Sequence, residues 1–134
     1  MIVTSNSKCP EIILSGGLNS QMKTKILLHK FSKSEQQWKD IESNDLTKPK
    51  FNIFQHTITE YKNTIFFIGG ITVIPMIEKE TNDRYNIPFI PTYNIKENKW
   101  DGINWGIYLR AHATVTIGNF LMIHGGIDEE EKFN

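Results

Sequence analysis

The heptapeptide TIFFIGG at residues 64–70 decides the predicted fold, because two similar segments stand elsewhere in the chain. EIILSGG occupies residues 11–17, and FLMIHGG occupies residues 120–126. In each segment a short apolar run, typical of a β-strand, ends in a pair of glycines. A segment that occurs three times in 134 residues indicates an internal repeat.

A histidine precedes the second and third diglycines at the same distance. The separation in sequence from His56 to Gly69 equals the separation from His112 to Gly125. The whole unit therefore recurs with one constant offset, His56 to His112 and Gly69 to Gly125. An offset of this size is typical of a repeat architecture in which each unit is one supersecondary element.

An aromatic residue followed seven positions later by tryptophan recurs after the first and second diglycines. The segments FSKSEQQW, residues 31–38, and YNIKENKW, residues 93–100, align without a gap. They place Phe31 with Trp38 and Tyr93 with Trp100. Three diglycines and two aromatic–tryptophan pairs in one order support a repeat rather than a chance match.

The rest of the chain predicts an all-β fold. No segment shows the periodicity of a long amphipathic helix, and short apolar runs alternate with glycine, asparagine, proline and charged clusters. Gly118 and Asn119 form a predicted tight hairpin turn. The candidate strands are residues 11–15, 25–31, 37–41, 53–59, 64–68, 89–95, 113–117 and 119–123.

The order of these elements resembles the kelch repeat, a four-stranded blade of a β-propeller with a period of about 50 residues. YKNTIFFIGG, YNIKENKW and LRAHATVTIGNFLMIHGG match the family pattern best. The resemblance implies a partial β-propeller built from four-stranded antiparallel blades. Blade A is expected at about residues 1–49, blade B at about 50–108, and an incomplete blade C at about 109–134.

The chain departs from the family pattern at several positions. The family often has arginine two residues before the histidine, and Arg110 alone fills that place; blade B has Phe54 there. Val3 stands at the histidine position of blade A. Blade A is therefore the weakest match.

The repeated glycines and aromatic residues are predicted to be structural. Glycine adopts positive φ without strain, which a sharp turn after a strand requires. A phosphate-binding loop would need more glycines, a Lys-Ser/Thr ending and a following helix. The aromatic residues are predicted to fill the space between blades rather than to stack on a ligand. The residues concerned are Gly16, Gly17, Gly69, Gly70, Gly125, Gly126, Phe31, Trp38, Tyr93 and Trp100.

Composition excludes some classes of function. The formal net charge is zero, which argues against a general nucleic-acid or anionic-membrane binder. One cysteine, Cys9, excludes an internal disulfide and fits a reducing compartment. No signal peptide is evident, and the most apolar stretch, residues 64–77, is too short to span a bilayer. We therefore expect a cytoplasmic protein.

The sequence predicts neither an enzyme nor a cofactor or metal site. It has no nucleophile motif such as Gly-x-Ser-x-Gly, and no histidine pair has ligand spacing on one element. His56 and His112 are explained by the repeat. Some kelch-type proteins are enzymes, but their tyrosine, cysteine and histidine constellation cannot be mapped onto this chain. The alternative function is an enzyme or carbohydrate-binding propeller with its site at the propeller axis.

An enlarged loop suggests where a partner binds. The stretch between the diglycine and the aromatic residue of the aromatic–tryptophan pair is longer in blade B, residues 71–92, than in blade A, residues 18–30. The resemblance implies that loops 71–88 and 101–109 line the partner-binding face, although an unbound spacer is the alternative. The predicted contact residues are Asn82, Arg84, Tyr85, Trp105 and Tyr108.

The resemblance implies a protein-interaction scaffold. Kelch propellers serve as substrate receptors of ubiquitin ligases, as cytoskeletal proteins and as structural subunits. Propellers close with about four to eight blades, so the segment is expected to be an incomplete folding unit. Its expected partners are further propeller blades or neighbouring subunits.

Overall fold

The computed structural model describes residues 2–3, 11–17, 28–41, 52–73, 84–86, 89–104, 108–128 and 130. All the regular structure in these ranges is β, which confirms the predicted all-β class. The strands of these ranges are β1 (Ile2–Val3), β2 (Ile12–Ser15), β3 (Leu28–Ser32), β4 (Gln37–Asp40), β5 (Asn52–Phe54), β6 (Thr57–Tyr61), β7 (Thr64–Ile68), β8 (Ile71–Val73), β9 (Arg84–Asn86), β10 (Ile90–Asn94), β11 (Lys99–Ile103), β12 (Leu109–Arg110), β13 (Ala113–Ile117), β14 (Phe120–His124) and β15 (Ile127–Asp128).

Two four-stranded antiparallel sheets contain most of these strands. The first sheet has the order β1-β2-β3-β4, and the second has the order β6-β7-β10-β11. In both sheets every neighbouring pair is antiparallel. The strands of the first sheet are consecutive in sequence, whereas β8 and β9 lie between β7 and β10 in the second. A third hairpin, β13–β14, pairs Ile117 with Phe120 across the predicted turn at Gly118 and Asn119.

We call β1–β4 the first unit, β5–β11 the second and β12–β15 the third. The second and third units each contain an interrupted hairpin. β6 pairs with β7 up to Thr57 opposite Ile68, and pairing resumes in β5 and β8 with Phe54 opposite Ile71. The predicted single strand at residues 53–59 is therefore two strands. β12–β15 and β13–β14 repeat this arrangement in the third unit.

The main chain of the third unit enters the interruption in the second. Leu109 accepts a hydrogen bond from the amide of Gly70 at 2.8 Å, and Ala111 donates one to the carbonyl of Gln55 at 3.0 Å. These bonds pair main-chain groups that the interrupted ladder leaves without a partner in their own hairpin. Gln55 and Ala111 both have positive φ, 58° and 53°.

The main core lies between the first and second sheets. Tyr93 and Trp100 are opposite each other on β10 and β11, and both are buried. The Trp100 ring lies 5.1 Å from that of Tyr93 and 5.2 Å from that of Phe67, measured between centroids. Ile13 and Leu28 of the first sheet complete this cluster.

Apolar side chains are exposed on the first sheet, on the face that carries Trp38, and on the β13–β14 hairpin. Trp38 lies opposite Phe31, as Trp100 lies opposite Tyr93, but Trp38 is 48% exposed and Trp100 is 2% exposed. The exposed fractions differ because Trp100 packs against the first sheet, whereas no described sheet packs against the face of the first sheet that carries Trp38. The exposed side chains of the third hairpin include Val115, Phe120 and Met122, which are 52%, 75% and 54% exposed.

The region predicted as a loop at residues 71–88 contains regular structure. β8 pairs with β5 and with β9, which forms a small three-stranded sheet. The reason is that β5 and β8 extend the β6–β7 hairpin beyond the diglycine. The predicted strand 25–31 is described from Leu28 onward, and residues 25–27 lie outside the described ranges.

Candidate functional site

A cleft lies where the end of β2 meets the beginnings of β6 and β13. Its volume is about 320 Å³, within the range of small-molecule sites. The cleft therefore joins residues of all three units. Its lining residues are Ser15, His56, Thr57, Ile58, His112, Ala113 and Thr114.

His56 occupies the seam between the first and second units. Its imidazole lies so close to Gly16 that a Cβ on this glycine would overlap the ring. Ser15 Oγ is hydrogen bonded to His56 Nε2 at 3.1 Å. The φ of Gly16 is 70°, so glycine here provides both the turn and the space for the ring.

His112 occupies the same place between the second and third units. A Cβ on Gly69 would overlap the imidazole of His112 and the carbonyl oxygen of Leu109. Thr57 Oγ1 is hydrogen bonded to His112 Nε2 at 3.0 Å, and Thr114 donates to Thr57 Oγ1 at 2.9 Å. A chain of two hydroxyls and one imidazole therefore links the units.

In the second and third diglycines, the second glycine packs against the histidine of its own unit. A Cβ on Gly70 would lie 2.8 Å from His56 Cβ, and a Cβ on Gly126 would lie 2.9 Å from His112 Cβ. Each of these two histidines is thus held between its own diglycine and that of the unit before. This geometry explains why histidine and diglycine recur together with a constant offset.

Burial keeps both imidazoles neutral. Loss of solvation lowers the pKa of His56 to about 4, and the neighbouring His112 adds to the effect. Burial also lowers the pKa of His112, although the Ile68 carbonyl opposes the shift. His56 Nδ1 is buried without a partner in hydrogen-bond geometry, so a proton added there would be poorly solvated.

The Ser15–His56 contact has the distance of a nucleophile–base pair, but its surroundings do not suit catalysis. Catalytic imidazoles are oriented by a hydrogen bond to the second ring nitrogen, and His56 Nδ1 makes none. A pKa of about 4 also makes His56 a weak base near neutral pH. Packing of one unit on the next explains the contact better.

The cleft offers neutral hydrogen-bonding groups rather than charges. Ser15, Thr57 and Thr114 supply hydroxyls beside two neutral rings. Among the residues that the structure describes, no three His, Cys, Asp or Glu side chains are grouped as a metal site would require. The chemistry suits a small polar, uncharged ligand.

The predicted partner-binding residues are partly within the described ranges. Arg84 and Tyr85 belong to β9, where Tyr85 is opposite Thr72. Tyr108 is 46% exposed and precedes Leu109, which bonds to Gly70. β9 and Tyr108 therefore lie on one side of the sheets, which we name the diglycine edge: the side at which β2, β7 and β14 end. Asn82 and Trp105 lie outside the described residues.

The predicted structural glycines all adopt backbone angles that favour glycine. All have positive φ: Gly16 70°, Gly17 111°, Gly69 60°, Gly70 89°, Gly125 66° and Gly126 106°. No sequence signal indicated the positive φ at Gln55 and Ala111. Nor did any signal indicate that Ser15, Thr57 and Thr114 meet at the histidines, since they lie in three different units.

Comparison with models of known families finds no match to this chain. Comparison with curated proteins finds no match either. Within the described part of the chain, no helix has the length and apolarity needed to cross a bilayer.

Proposed function

We propose that the chain is part of a kelch-type β-propeller and acts as a protein-interaction scaffold within a longer chain or assembly. One observation carries the proposal: His56 packs against Gly16, and His112 packs in the same way against Gly69. An array of repeats stacked in one sense uses the same contact between successive units.

The strand arrangement supports a propeller. Each blade of such a fold is a four-stranded sheet, and the first and second sheets are both four-stranded and antiparallel. In a propeller the first strands of successive blades also lie side by side around the axis. β1 contacts β6 and β6 contacts β13. These are the first strands of the two four-stranded sheets and of the third hairpin.

The diglycine edge supports a role in protein binding. Tyr108 is exposed there, and aromatic residues are enriched at the energetic centres of protein interfaces. β9, which carries Arg84 and Tyr85, lies at the same edge, and Asn82 shortly precedes it in the sequence. A substrate receptor, a cytoskeletal protein and a structural subunit would all bind through this edge. The zero net charge and single cysteine favour a cytoplasmic setting without nucleic acid.

A triple variant at the edge tests the proposal. The variant combines Asn82→Ala, Arg84→Ala and Tyr85→Ala. The proteins that bind to the immobilised variant are compared with those that bind to the immobilised unchanged chain. We expect at least one protein that binds the unchanged chain to bind the triple variant at least tenfold more weakly. A tenfold loss of affinity corresponds to about 1.4 kcal/mol of binding free energy.

The matched control combines Lys96→Ala and Glu97→Ala, two exposed residues in the β10–β11 turn at the opposite edge. This control should leave affinity unchanged. Equal losses in both variants, or no partner lost by the triple variant, would contradict binding through the diglycine edge.

The cleft supports a second candidate function, carbohydrate binding near the propeller axis. Its hydroxyls and neutral imidazoles match the donors and acceptors of a sugar. Calorimetric titration of the chain with simple sugars would test carbohydrate binding. Saturable binding that Thr114→Val weakens would favour the second candidate over the scaffold. No heat of binding from any sugar would reject it.

A further inference from the structure

The edge of β14 facing away from β13 differs from the matching edges of β2 and β7. β2 pairs there with β3, and β7 pairs there with β10. β14 pairs with β13, and within the described ranges no strand lies on its other side. An exposed strand edge is a template for pairing with another strand.

The internal repeat identifies what kind of strand fits this edge. Leu121 stands in the same position relative to Gly125 as Ile12 does to Gly16 and Ile65 does to Gly69. Phe31 is opposite Ile12, and Tyr93 is opposite Ile65. Leu121 is thus the position that an aromatic residue covers in the other two sheets, and here it is 39% exposed.

The main chain of β14 is oriented for pairing. In a hairpin closed by a two-residue turn, the residues flanking the turn bond to each other, here Ile117 and Phe120. Bonding alternates along an antiparallel pair, so Leu121 and Ile123 direct their N–H and C=O groups away from β13. Leu121 therefore offers a partner strand both main-chain hydrogen-bonding groups and an apolar side chain.

We propose that the β14 edge binds a β-hairpin that carries an aromatic residue opposite Leu121 and a tryptophan seven positions later. The tryptophan covers Ile123, which corresponds to Phe67, the partner of Trp100 at 5.2 Å. The inference rests on the proposed function, because it treats the third hairpin as an equivalent of the other two units. Strand addition supplies affinity through main-chain bonds and specificity through alternate side chains.

A peptide with the sequence of residues 89–104 serves as the probe, since it contains the β10–β11 hairpin. It is labelled, and its fluorescence anisotropy is measured against the whole chain. We expect saturable binding that Leu121→Glu weakens at least tenfold. Val115→Glu makes the same kind of change on the other face of the same hairpin and should alter affinity less than twofold.

A substitution in the peptide serves as a second test, because it does not depend on whether the Leu121→Glu chain folds. Tyr93→Ala in the peptide should weaken binding to the unchanged chain at least tenfold. No binding to a chain with a β-sheet circular dichroism spectrum would overturn the inference. Equal effects of Leu121→Glu and Val115→Glu would also overturn it.

The two proposals fail separately. If the peptide does not bind but the triple variant at the diglycine edge still loses its partner, this inference is wrong and the scaffold function stands. If the peptide binds but no protein depends on that edge, the scaffold function is wrong and the β14 edge is a binding surface of another kind.

Discussion

The imidazole of His56 lies against Gly16, and Ser15, the residue before that glycine, is hydrogen bonded to the same ring. His112 and Gly69 repeat the relationship one unit later. Because ring and glycine belong to different units, the contact specifies how one sheet sits on the next. A change to either partner should therefore disturb the stacking of the units.

Gly69→Ala should destabilise the protein far more than Gly118→Ala. The two glycines have nearly the same φ, 60° and 59°, so alanine is strained to the same extent at each, by about 1–2 kcal/mol. A Cβ at Gly69 would also overlap Leu109 and His112, whereas nothing lies within 4 Å of a Cβ at Gly118. We expect an additional loss of about 2 kcal/mol or more for Gly69→Ala. Urea unfolding of both variants measures the difference, and equal losses would show that the seam tolerates a methyl group.

Trp100→Ala should cost about 3–5 kcal/mol of unfolding free energy, as expected for emptying a large buried site. Trp38→Ala should cost about 1 kcal/mol, because nearly half of this side chain is exposed. Thermal unfolding of the two variants provides the comparison. A loss below about 1 kcal/mol at Trp100 would mean that this aromatic residue is not part of the core.

Stability should fall as the pH is lowered from 6.5 towards 4. In this window the unfolded His56 ring is protonated while the folded ring, with its pKa of about 4, stays neutral. The unfolded state therefore binds more protons, and the free energy of unfolding decreases with the pH. The loss is absent above pH 6.5 and reaches about 3 kcal/mol near pH 4, at about 1.4 kcal/mol per pH unit.

His56→Gln tests this titration by its effect on the pH slope rather than on stability at one pH. Free energies of unfolding measured at several pH values should vary less between pH 6.5 and 4 in this variant. His124→Gln is the control, since His124 is exposed on β14. An unchanged slope in His56→Gln would assign the acid sensitivity to other groups.

The sequence predicted the strands best where local signals agree. β7 and β13 have the predicted limits, because each is an apolar or alternating run next to a tight turn. The interruption at Gln55 was missed, since glutamine carries no preference for positive φ. The cause is tertiary: Gln55 accepts a hydrogen bond from Ala111 of the next unit.

The burial of the aromatic residues and the composition of the cleft depend on contacts between units. A pattern in the sequence does not show these contacts. Phe31–Trp38 and Tyr93–Trp100 have the same spacing and the same cross-strand pairing, yet only the second pair is covered by a neighbouring described sheet. The cleft likewise combines Ser15, Thr57 and Thr114 from three units. The repeat explained the histidines and glycines, but the hydroxyls beside them had no comparable signal.

The association state of residues 1–134 tests the central proposal, that the chain is a propeller segment whose exposed apolar faces are covered by neighbours. Trp38 at one end and Val115, Phe120 and Met122 at the other expose apolar surface that favours association. Size-exclusion chromatography with light scattering, followed by thermal melting, measures the outcome. We expect species larger than a monomer, whose proportion rises with protein concentration, so the unfolding free energies of the variants are to be compared at one low concentration. A monodisperse monomer with a cooperative melt at every concentration would contradict the proposal.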